Sequence, residues 1–257
     1  MKLGVCVGDN SENVRIAAKH GFDYVESCFS LLAQAQEEKF SAFQNALNET
    51  GMTCEAVNCF LPGSLKVTGA DVDEKAIAEY VERGMKRGQQ LGVKTVVFGS
   101  AGSRTVPEGF SYAEGARQYI HALKTIIAPL AAKYGMTVVI EPLSKVDTNL
   151  VNTVKEGAVF ASAVDHENVK LLCDLYHMCN VADTNEDVST VGELIRHAHI
   201  AQPQGRRYPT DGEKYDYAAF LKTLTGVGCE RCSIEAGCDD FDADSKKALA
   251  VLRGCME

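Results

Sequence analysis

Eight times along this chain a short apolar run is followed by a helix-forming stretch, and no linker breaks the series. The runs occupy 3–8, 24–29, 53–60, 95–99, 137–143, 169–176, 195–201 and 232–236. Apolar runs of this length suit strands buried on both faces of a parallel sheet. Strict strand–helix alternation argues for such a sheet. Eight units in 257 residues argue for a closed (β/α)8 TIM barrel, a single domain over 1–257. A doubly wound open sheet is the alternative, but its GxGxxG fingerprint after the first strand is missing.

Capping residues and glycines place the helices. They are expected over 11–20, closed by Gly21, over 36–50, and over 73–91 with Asp73 as N-cap. Ser111 caps a helix running to about Tyr134, which Gly135 ends. Further helices are expected over 153–165, 187–194, 216–224 and 244–256.

Formal net charge is −9 without a long basic run, which disfavours nucleic acid as the main partner. No stretch of about 20 apolar residues predicts a membrane span. Asp9 and Asn10 cut the N-terminal apolar run too short for an export signal. Ten cysteines without such a signal point to free thiols in a reducing cytoplasm. Cys229-Glu230-Arg231-Cys232 is a lone CxxC without a thioredoxin-like setting.

Four of the runs end on a side chain able to bind a metal. They read Val138-Val139-Ile140-Glu141, Leu171-Leu172-Cys173-Asp174, Ile195-Arg196-His197-Ala198-His199 and Cys232-Ser233-Ile234-Glu235. A carboxylate in such a run is costly to bury without a partner. In a barrel all four fall at the C-terminal strand ends, where active sites lie. Three carboxylates and one imidazole suit Mn²⁺, Mg²⁺ or Co²⁺ better than a structural zinc. His197 and His199 are two apart and share a side of their strand. His199 is nearer the end and is the ligand, and His197 is a packed, hydrogen-bonded histidine. His177, three beyond Asp174, turns back over the mouth toward a substrate oxygen. Arg206 and Arg207 can hold a hydroxyl or phosphate, and Arg104 is a weaker phosphate candidate.

At these residues the chain resembles the xylose isomerase-like barrels of the sugar (phosphate) isomerase/epimerase group, especially the ketose 3-epimerases related to D-tagatose 3-epimerase. The matching motifs are E-P-L at Glu141, D-x-x-H at Asp174 and His177, H-x-H at His197 and His199, and I-E at Glu235. The stretch 54–60 also looks like relatives with sugar-sized pockets. The resemblance implies that Glu141, Asp174, His199 and Glu235 bind one divalent metal, Mn²⁺ first, with Mg²⁺ or Co²⁺ as alternatives. It implies that His177 and Arg206, or else Arg207, contact substrate. The family's glutamate six residues after the metal glutamate becomes Asp147 here, one methylene shorter. The arginine sits one place later, and no tryptophan is present. Relatives imply a small-molecule sugar partner and a homo-oligomer, dimer or tetramer.

The expected chemistry is a metal-assisted proton transfer next to a carbonyl. Glu141 and Glu235 serve as base and acid, in an order the sequence leaves open. The alternative is a lyase cleaving a keto-sugar derivative or C-glycoside with the same groups. An endonuclease IV-like nuclease is disfavoured, because the second, third and fourth strands end without the extra histidines its metal cluster needs.

Overall fold

The apolar runs become strands, and the first strand pairs with the last. In a computed structural model, which describes residues 1–211 and 215–257, the strands are β1 (Lys2–Gly8), β2 (Tyr24–Cys28), β3 (Cys54–Asn58), β4 (Thr95–Phe98), β5 (Thr137–Ile140), β6 (Val169–Asp174), β7 (Ile195–Ile200) and β8 (Arg231–Ile234). Each is parallel to its neighbour, and β1 beside β8 closes a barrel in sequence order. The open-sheet alternative is thereby removed. No helix among the described residues is long and apolar enough to cross a membrane.

The helices start where side chains satisfy their free N–H groups. Asp73 accepts from the Ala76 amide, and Thr153 and Glu156 form a reciprocal capping box. The last helix begins at Phe241 rather than Asp244, because Asp240 caps it by accepting from Ala243. The helix expected over 111–134 contains a wider π turn, Leu123–Ile127. It lies just before Pro129, which has no N–H to continue the ladder. Seven predicted strands, β2 to β8, run one to three residues past the observed ends, and short helices follow β2, β4 and β6: Phe29–Gln34, Ala101–Arg104 and Leu175–Val181. After β6 the cause is visible. Asp174 accepts from the amides of Tyr176 and His177 and starts a helix at once.

Alternate residues of each strand face the barrel interior. One side of that interior is apolar, with Val97, Val139 and Leu172 packed as a small cluster separate from the main core. The other side is polar and fully buried: Tyr24, Glu26, His197, His199 and Ser233. Two residues beyond the apolar trio lie Gly99, Glu141 and Asp174, so the inward period of two brings these to the mouth. The main core lies between barrel and helices. Its aromatic rings run edge-on from Phe29 through Phe60 and Phe98 to Tyr119, at 4.7–5.2 Å between centroids.

All ten cysteines are free thiols. Burial pushes Cys229 up to about 11 and Cys232 well above the usual thiol range, so the CxxC pair consists of protonated core residues.

The Tyr24 ring fills the deep end of the barrel by lying over Gly4, where a Cβ would stand 2.3 Å from the ring. Gly4→Ala is expected to destabilise the fold by about 1–3 kcal/mol through overpacking. Urea denaturation checks this, and a midpoint equal to that of the unchanged protein would show that the ring moves aside freely.

Candidate active site

Glu141 directly follows β5, Asp174 ends β6, His199 lies in β7, and Glu235 directly follows β8. The structure brings these four together. One ligand atom from each lies within 4.8 Å of all the others. His199 Nδ1 is 3.3 Å from Glu141 Oε1, 3.2 Å from Glu235 Oε2 and 4.0 Å from Asp174 Oδ2. A cation about 2.0–2.2 Å from each donor needs donors spaced in this way.

Electrostatics also fits a cation. His199 and Asp174 are buried, and Glu141 is only 4% exposed. Burial, reinforced by Glu235, pushes the Glu141 carboxyl above its usual range. Burial also acts against Glu235, but the nearby His199 overcomes it and holds that carboxyl at about 2. Burial lowers His199, yet Glu26 and then Glu235 raise it well above the ordinary imidazole value. Four carboxylates, Glu26, Glu141, Asp174 and Glu235, surround this one imidazole, and a divalent ion would neutralise the excess negative charge.

Of the two arginines after β7, Arg206 reaches the site. Gly205 and Arg206 both have positive φ, 77° and 49°, which turns the loop back over the mouth. The Arg206 carbonyl accepts from the Gly237 amide at 2.8 Å and fixes that turn. The guanidinium donates to Glu235 Oε2 and, at 3.2 Å, to Asp174 Oδ2, and lies over the Tyr176 ring. Arg207 instead pairs with exposed Asp239.

A cavity of about 290 Å³ opens onto the cluster and is lined by His177, Asp147, Arg206, Asn58 and Cys59 among others. The Ser144 amide donates to His177 Nδ1 at 3.1 Å, so the ring proton is assigned to Nε2. That Nε2 is buried with no hydrogen-bond partner. Asp147 Oδ2 is 3.7 Å from His177 Nδ1 at the cavity wall.

Arg104 is a correction. It is fully buried, and its guanidinium donates to the backbone carbonyls of Glu141 at 2.6 Å and Phe98 at 3.4 Å. It ties the ends of β4 and β5 together and offers nothing to a phosphate. Two residues of the site escaped the sequence reading. Asn58 donates to Glu235 Oε1 at 2.9 Å. Glu26 lies inside β2, against both β7 histidines. The signal for both was available: each is a polar side chain in an apolar strand, on the inward parity.

The family model described as xylose isomerase-like TIM barrel matches residues 14–255. The chain belongs to this family. It is 26% identical to the D-psicose 3-epimerase of Agrobacterium fabrum, over 92% of this chain and 90% of that one. It is 24% identical to the 3-dehydro-D-guloside 4-epimerase of Escherichia coli, over 95% and 94%. The solved structure of a D-psicose 3-epimerase with D-tagatose from Clostridium cellulolyticum H10 superposes with a TM-score of 0.87 over the whole of both chains, at 19% identity, a likeness of fold. With epimerases as its full-length relatives, the chain is an enzyme of the isomerase and epimerase kind.

Gly99 leaves room for Glu141: a Cβ there would stand 2.1 Å from Glu141 Oε2. Gly99→Ala is expected to displace that carboxylate and weaken the binding of a divalent metal ion at the cluster by about tenfold or more. Titration with the metal checks this, and unchanged affinity would mean that Glu141 is not held against Gly99.

Proposed function

We propose that the protein is a divalent-metal-dependent epimerase or isomerase of a keto sugar. The observation behind this reading is the convergence of Glu141, Asp174, His199 and Glu235 at the end of a sugar-sized cavity, in a chain whose full-length relatives are named epimerases. These four residues would hold the cation, with Mn²⁺ preferred and Mg²⁺ or Co²⁺ as alternatives. When bound, the cation supplies Lewis acidity that makes the C–H beside a carbonyl more acidic.

This chain's own groups do the rest. Glu141 and Glu235 follow strands three places apart round the barrel mouth, β5 and β8, and reach the cluster from different directions. One removes the proton from one face of the carbon, and the other returns a proton to the opposite face. Asn58 holds Oε1 of Glu235 and leaves its other oxygen turned to the site. His177 donates its unpaired Nε2–H to a substrate oxygen. Arg206, fixed on Asp174 and Glu235, contacts a substrate hydroxyl, and Asp147 closes the wall beside His177. Arg104 lies outside the cavity and Arg206 is engaged with two carboxylates, which favours an unphosphorylated sugar. The reading places the enzyme in the cytoplasm, as a homo-oligomer acting on a small molecule and not on nucleic acid.

The test is solvent-deuterium exchange. Mn²⁺-loaded protein incubated in D₂O with a panel of ketoses, ketose phosphates and inososes should exchange a C–H beside the carbonyl, read by NMR. Metal-loaded protein inert across the panel would sink the epimerase reading and favour C-glycoside cleavage.

Two variants divide the roles. Glu235→Gln is expected to lower kcat by about 10²–10⁴ or more while the fold persists; full activity would remove Glu235 from proton transfer. Arg206→Ala should raise KM far more than it reduces bound metal, and equal losses would make Arg206 part of the metal site instead.

A further inference from the structure

We infer that Glu26 is a positioning residue for the cation: it fixes the His199 ring so that Nδ1 faces the three ligand carboxylates. The inference rests on the proposed cation site and extends it one shell inward.

The geometry is specific. Glu26 Oε1 lies 2.9 Å from His199 Nε2, and Glu26 Oε2 lies 2.8 Å from His197 Nε2. All three residues are fully buried. A carboxylate accepts only, so each Nε2 must carry a proton. For His199 this decides which nitrogen can ligate. With Nε2 protonated, the lone pair that becomes available is on Nδ1, the atom already facing Glu141, Asp174 and Glu235. The three carboxylates would themselves attract a proton on Nδ1. Without Glu26 they would select the tautomer that cannot bind a metal. Glu26 therefore keeps Nε2 as the donor and leaves Nδ1 as the nitrogen that faces the cation site.

His197 acts as a brace. Its Nε2 occupies the second oxygen of Glu26 and also lies 3.5 Å from Ser233 Oγ, which is 2.8 Å from the Tyr24 hydroxyl. The Glu26 carboxylate is pinned at both oxygens and cannot rotate away from His199. Branched apolar side chains usually fill such an interior, and Val97, Val139 and Leu172 do so on the opposite side. Burying an acid and two imidazoles instead is costly without a task for them.

The experiment uses Mn²⁺ alone, in competition with a chelator, on the unchanged protein, Glu26→Gln and Phe43→Leu. Phe43 is a fully buried core residue outside the barrel interior, so Phe43→Leu reports the effect of lost stability. Glu26→Gln is expected to bind Mn²⁺ about 10–100-fold more weakly, whereas Phe43→Leu should lower the melting temperature and keep its affinity. A folded Glu26→Gln protein with unchanged affinity overturns the inference. Failure of the unchanged protein to bind Mn²⁺ overturns the metal reading itself, so the two failures are distinct. A second measurement needs no variant. In ¹⁵N-histidine-labelled protein with Mg²⁺, long-range ¹H–¹⁵N spectra should show His199 protonated at Nε2 and ligated through Nδ1, and ligation through Nε2 overturns the inference.

Discussion

One imidazole meets four carboxylates. His199 touches Glu26 through Nε2 and faces Glu141, Glu235 and Asp174 through Nδ1. Each acid alone would be expensive to bury. Together they are tolerable because a ring that can carry charge stands between them and because Arg206 covers two of them from outside. The arrangement of the mouth follows from satisfying this cluster.

Space for the cluster comes from backbone choices made elsewhere. Gly99 leaves the gap that Glu141 occupies. Arg104 holds the Glu141 carbonyl and so anchors the end of β5. A glycine and an arginine on the β4 loop therefore set the position of a carboxylate on β5. The Gly205–Arg206 turn does the same from the other side, because its left-handed backbone aims a guanidinium inward.

The barrel was legible in the sequence because its signal is repeated eight times and the strands are mostly apolar. The convergence of Glu141, Asp174, His199 and Glu235 was legible because each sits at the same point of its repeat. Strand ends were less legible. The apolar pattern runs on through Phe29 and Tyr176, yet short helices begin there. At Asp174 one side chain both caps a helix and faces the site, and a pattern of polarity cannot show a residue with two tasks. Arg104 misled because loop composition predicts exposure, whereas the short helix Ala101–Arg104 turns the side chain into the protein. Glu26 and Asn58 were hidden by position: they lie in the first half of the chain, away from the stretch where the ligands concentrate.

Tyr24 gives the barrel a bottom. Its ring sits over Gly4 with no exposure, and beneath it Lys2 and Arg231 close on Glu55. Among the described residues these side chains stop the deep end, and the four-residue cluster faces the cavity at the other end. In the reading proposed here, the ion lies behind the sugar. A sugar seated in that cavity would then stand between such an ion and the solvent.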